Sequence, residues 1–166
     1  MGKRIMLDWE RDKRWSDKFL NEIKAILGVH LIGEPPIEED MERNTDLMVL
    51  KMDAVRIGCR VRNHQYFEKY PDDFTIRSGR PTGAKTELAK IIEGWGQYLF
   101  YAFADEKDER LVYWRMIDLN KFRLWFNRCL AKGKPYPWVE MNNRDNSSSF
   151  HVFNVKKAGD VLFAMK

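Results

Sequence analysis

With 166 residues and a mass of 19.8 kDa, the chain suits one domain, 1–166, and leaves little room for a second. Its 44% hydrophobic and 13% aromatic content is enough for a packed core and argues against wholesale disorder. No apolar run reaches the length of a bilayer span, and Met1-Gly2-Lys3-Arg4 leads into charged residues rather than an apolar signal core, so we expect a cytoplasmic protein with no membrane partner.

Taken in chain order, the first element expected is a helix over 17–27, capped by Ser16 and closed by Gly28, because Phe19, Leu20, Ile23, Ile26 and Leu27 recur at helical spacing. Glu34-Pro35-Pro36-Ile37-Glu38-Glu39-Asp40 is a polar, acidic loop that its two prolines keep irregular. Two apolar-rich runs, 46–52 and 55–62, read as a β-hairpin. In the second run Val55, Ile57, Cys59 and Val61 alternate with Arg56, Gly58, Arg60 and Arg62. Period two puts the arginines on one face of a strand and the apolar residues on the other. A short strand is expected at 74–78 and a Gly/Pro turn at 78–86. A helix over 86–103 follows from the stripe Leu88, Ile91, Ile92, Trp95 and Leu99. A strand at 111–117, a helix from Asp118 or Asn120 to about residue 131, and a last strand at 150–155 complete the order. The fold class is therefore α/β or α+β: a single domain with one central mixed β-sheet flanked by helices. Cys59 and Cys129 fall in apolar-patterned segments and read as reduced core residues.

The net charge of +4 is unevenly spread. Residues 56–90 are rich in Lys and Arg, whereas 34–42 are strongly acidic. A basic middle points weakly to a polyanionic partner.

An order of helix, three strands, helix, strand resembles the PD-(D/E)XK nuclease superfamily, whose core is the restriction-endonuclease-like αβββαβ arrangement. Local residues add to this over roughly 17–117. Asp46 opens its strand as Asn44-Thr45-Asp46-Leu47-Met48-Val49-Leu50, where that superfamily places an Asp. On the next strand, Ile57-Gly58-Cys59-Arg60-Val61-Arg62 puts Arg60 where the family has its second acid and Arg62 where it has its lysine. Gln97-Tyr98-Leu99-Phe100-Tyr101 matches the Q-x-x-x-Y signature of the RecB-like branch, with Gln97 and Tyr101 four apart on one face of the expected helix. Glu22 stands where some branches supply a glutamate from the first helix. The resemblance thus implies a site of Asp46, Arg60, Arg62, Gln97 and Tyr101, with Asp46 and Glu22 as the candidate metal ligands and magnesium or manganese as the cofactor of an active enzyme.

The departures from that pattern decide the functional expectation. Such chemistry needs carboxylates to hold a divalent ion that lowers the pKa of the attacking water. Arg60 replaces an anion with a cation, and an Arg62 guanidinium stays protonated and cannot act as a base. Arginine forks do match phosphate oxygens. The expectation is a nucleic-acid-binding protein of nuclease-like fold, impaired in catalysis, with DNA favoured over RNA and contacts through Arg56, Arg60, Arg62, Arg77, Arg80, Lys85 and Lys90. Two alternatives stay open. One is an active magnesium- or manganese-dependent nuclease in which Glu22, Glu42 or Asp53 replaces the missing carboxylate. The other is a protein-interaction or inhibitor module, for instance a phage-borne one. Each residue also has a plainer reading: arginines on one strand face suit a solvated sheet, Asp46 suits a turn, and Gln97 and Tyr101 suit ordinary helix packing.

Other signals are weaker. Gly79-Arg80-Pro81-Thr82-Gly83-Ala84-Lys85-Thr86 misses the phosphate-binding pattern G-x-x-x-x-G-K-[ST] at Ala84 and reads as a turn. His30, His64 and His151 lack a partner at zinc-ligand spacing, although His64 follows the arginine strand directly. Trp9 and Trp15 lie among charges, and packing on the domain is the default reading for both.

Overall fold

The computed structural model describes residues 15–33, 48–49 and 55–165. The chain divides into two compact units, Met1–Ala54 and Val55–Lys166. In the first, a helical turn at 15–17 leads into α1 (Leu20–Leu31). Phe19, just before it, and Ile23, four residues on, are buried, as the helical spacing requires. The helix runs through Gly28 instead of ending there. A single mid-helix glycine costs only about 1 kcal/mol, so it is a weak stop signal. β1 (Ile32–Gly33) pairs antiparallel with β2 (Met48–Val49), Ile32 opposite Val49.

The second unit contains β3 (Ile57–Arg62), α2 (His64–Lys69), β4 (Asp73–Gly79), α3 (Glu87–Ile92), β5 (Tyr98–Ala104), β6 (Leu111–Asp118), α4 (Leu119–Lys132), β7 (Trp138–Asn142), β8 (Ser149–Asn154) and β9 (Leu162–Met165). One sheet has the order β3-β5-β6-β9, with β3 parallel to β5 and the other pairs antiparallel. A second, wholly antiparallel sheet has the order β4-β8-β7. The mixture of helices with strands is the expected α+β class. The strands do not form one sheet, however, and α2 separates β3 from β4, so the order over 17–117 is not a plain αβββαβ.

Two local expectations fail for definite reasons. Among the described residues the hairpin joining 46–52 to 55–62 is not seen: β2 takes β1 as partner and β3 takes β5. The helix expected over 86–103 stops at Ile92. It begins as expected, with the Thr86 side chain accepting a hydrogen bond from the Ala89 N–H at 3.3 Å. Gly94 and Gly96 then take φ of +98° and +78°, a left-handed backbone that ends a helix. Tyr98–Ala104 becomes a strand buried from Leu99 to Ala104. A strand covered on both faces reads as a continuous apolar run, and such a run satisfies a helical period by accident. Trp95, counted in the expected stripe, is 63% exposed.

The main core of this unit is aromatic. Phe74 of β4, Phe122 and Phe126 of α4, Trp138 of β7 and Phe153 of β8 pack together, with Phe74 and Phe153 5.3 Å apart and Phe126 and Trp138 stacked at 4.6 Å. Leu99, Tyr101 and Phe103 enter it from one face of β5. Phe100 stacks on Trp114 at 5.5 Å, on the opposite face, as the strand period dictates. α4 starts where the sequence places it. The Asp118 carboxylate caps it, accepting from the N–H groups of Asn120 and Lys121 at 2.8 and 3.0 Å. No helix among the described residues is long and apolar enough to cross a membrane. Cys59 is exposed and Cys129 half-buried, both free thiols, so Cys59 is not the core residue expected.

Candidate functional site

Among the described residues β3 is an edge strand, and its alternation is the one the sequence shows. The register places Gly58, Arg60 and Arg62 beside Leu99, Tyr101 and Phe103. These three β5 residues belong to the core, so the arginine face continues the core face of the sheet and is not a solvated one. An inward-facing charge on an edge strand also discourages pairing with a further strand.

The Arg60 guanidinium is satisfied from within the unit. It makes an ion pair with the Glu87 carboxylate at the start of α3, and its Nη1 donates to the Thr75 carbonyl at 3.2 Å and the Thr75 hydroxyl at 3.4 Å. The Arg77 N–H donates to the same Glu87 oxygen at 3.2 Å. The Thr75 hydroxyl lies 3.3 Å from the Tyr101 hydroxyl. Arg60, Thr75, Glu87 and Tyr101 are therefore one polar network between the two sheets and α3. Arg62 turns differently, with its guanidinium 4.1 Å from the centre of the Tyr66 ring, a cation–π contact with α2.

The same cross-strand row continues to a residue that the sequence reading missed. Arg60 lies opposite Tyr101, and Tyr101 lies opposite Arg115 of β6. Arg115 is 1% exposed. Its Nη2 donates to the Pro71 carbonyl, while Nε and Nη1 have no hydrogen-bond partner. Its guanidinium lies 5.0 Å from the Tyr113 ring and 5.9 Å from the Phe103 ring. Burial pushes its pKa below the ordinary arginine value, opposed by Tyr113, Tyr101, Asp72 and Asp73. The signal in the sequence was an arginine inside the apolar strand Leu111–Asp118.

The remaining candidates scatter. Asp46, Glu42, Asp53 and Trp9 lie outside the described residues. Glu22 sits half-buried in the first turn of α1. Trp15 packs edge-on against Phe19 at 5.3 Å. Gln97 and Tyr101 do not share a helix face, because no helix is there. Gln97 precedes β5, and its side-chain oxygen accepts from the Arg56 N–H at 2.7 Å, tying the start of β3 to β5. Among the described residues no three His, Cys, Asp or Glu side chains gather as a metal ion would require. The 79–86 loop is a turn, closed by the Gly83 N–H donating to the Arg80 carbonyl at 3.1 Å. Lys85 pairs with Glu93 across α3. Arg56, Arg80 and Lys90 are exposed, and Arg77 is half-buried.

Charge separates along the same boundary as the structure. Val55–Lys166 carries 20 basic and 13 acidic side chains, a net +7, whereas Met1–Ala54 carries 9 and 12, a net −3. Comparison with family models, with curated proteins and with solved structures finds no match.

Proposed function

We propose that the chain binds nucleic acid through its phosphates, using the exposed basic side chains of Val55–Lys166, and that it does not cleave it. The observation that carries this reading is the net +7 of that unit, a surplus that attracts phosphates and releases counterions on binding. Arg56, Arg80 and Lys90 are exposed and supply contacts that position a backbone without reading its bases. Arg60 is not among them, since Glu87 already neutralises it. That same cation–carboxylate pair stands where the nuclease resemblance would put a metal-binding acid, which supports a role without hydrolysis.

The test is a titration of the full chain against labelled single- and double-stranded DNA and RNA at two salt concentrations, with and without manganese, followed by gel analysis of the products. The expected result is affinity that falls steeply with salt, little sequence preference and intact nucleic acid. Absence of salt-dependent binding overturns the binding reading, and manganese-dependent cleavage overturns its non-catalytic part.

A further inference from the structure

We propose that the groove beside α4 seats a single strand of nucleic acid, an inference that rests on the nucleic-acid reading above. α4 carries Lys121, Arg123, Arg128 and Lys132 and no acidic residue. Arg123 turns inward, donating to the carbonyls of Ile91 and Gly96 at 2.5 Å each. The other three are exposed and line a cavity of about 490 Å³ closed on its far side by residues 158–161. From Lys121 to Lys132 the helix rises roughly 16 Å, so the positive charge forms a stripe along the groove rather than a point. Among the described residues Asp160 is the single acidic one lining it.

Between the charges the groove is apolar. Leu124 is 63% exposed on a helix whose other face is the aromatic core, and half-buried Trp125 lies beside it. The Trp125 ring meets those of Trp138 and Phe153 at steep angles, with centroids 5.8 and 6.0 Å away, contacts that hold its orientation. A stripe of cations along an apolar floor complements a chain that is anionic on one side and flat and apolar on the other. Single-stranded nucleic acid has that character, because its bases are free to leave one another and lie on protein. A duplex does not, because its bases are stacked inside and it offers phosphates alone to such a groove.

Cys129 lines the groove and reports on it. The experiment measures alkylation of Cys129 by a fluorescent maleimide in full-length Cys59→Ser protein, free and with saturating oligothymidylate or a duplex of equal length, alongside binding measured by anisotropy. Oligothymidylate is expected to slow the labelling severalfold while the duplex leaves it unchanged. Lys121→Ala with Lys132→Ala is expected to weaken oligothymidylate binding about tenfold. If oligothymidylate binds but Cys129 labels at the same rate and the double variant binds as well as the parent, the groove is not the seat, while the nucleic-acid reading stands. If no nucleic acid binds at all, both fail. Equal protection by the duplex overturns the preference for single strands.

Discussion

Arg60 and Arg115 show how differently two arginines of one cross-strand row are used. The ion pair of Arg60 is half-buried, with side-chain exposures of 22% and 29% for Arg60 and Glu87, where a charge-assisted hydrogen bond is worth about 1–3 kcal/mol. Arg60→Ala should lower the urea midpoint accordingly. It should reduce nucleic-acid affinity less than Arg80→Ala with Lys90→Ala, because its guanidinium is already taken. Arg115 is a buried cation with one hydrogen bond to a carbonyl and no ion pair among the described residues. A desolvated charge opposes folding when its nearby carboxylates, here Asp72 and Asp73, form no ion pair with it. Arg115→Met, which keeps the length of the side chain and removes the charge, is expected to stabilise the protein by about 1–3 kcal/mol in urea unfolding; a loss of stability would show that the charge is needed there. His151 gives a pH signature. Burial lowers its pKa, with Glu140 at 3.8 Å acting the other way. The folded protein therefore resists protonating it, whereas the unfolded chain protonates it near pH 6.5. Stability is fully present above that pH and is lost as the pH falls below it toward the depressed folded value. Urea midpoints between about pH 7.5 and 5 should show this loss, and His151→Phe should flatten it.

At the scale of elements, α4 organises the second unit from its start and from its middle. Asp118 caps it, so Asp118→Ala should cost about 1 kcal/mol in urea unfolding. From the helix interior, Arg123 donates to the Ile91, Trp95 and Gly96 carbonyls, tying α4 to the end of α3 and the glycine turn that follows it. Much of α4 was legible: an N-cap aspartate followed by Phe122 and Phe126 at helical spacing is a local pattern, and local patterns survive folding. β5 was not legible. Its seven residues, Tyr98–Ala104, contain no polar alternation because both faces of the strand are covered, and only the two glycines before it separate it from α3. The candidate site divides in the same way. The alternation of Arg60 and Arg62 could be read from the sequence, but the partner of Arg60 lies 27 residues away at Glu87, and no spacing announces it.

For the whole molecule, the division of charge matters more than its total. A net charge of +4 says little by itself, whereas +7 on Val55–Lys166 and −3 on Met1–Ala54 are two distinct surpluses. On the proposed function, affinity for nucleic acid depends on salt as the +7 unit dictates. Raising salt from about 50 to 200 mM is expected to weaken binding by orders of magnitude if several phosphates are contacted, with each Lys or Arg removed from the contact surface lowering the log–log slope by about one. A flat salt response would mean that the surplus is only a solvated surface.

The sequence by itself determined the α+β class, the Asp118-capped start of α4, the alternation of β3 and the uneven spread of charge, because each depends on neighbours in sequence or on composition. Only the tertiary structure decided which strands pair, that Glu87 occupies Arg60, that Arg115 is buried, and that three cations of α4 face a groove. These are contacts between residues far apart in the chain. They are chosen by which apolar faces cover one another, and once those faces meet, the polar groups brought with them must find partners where they stand.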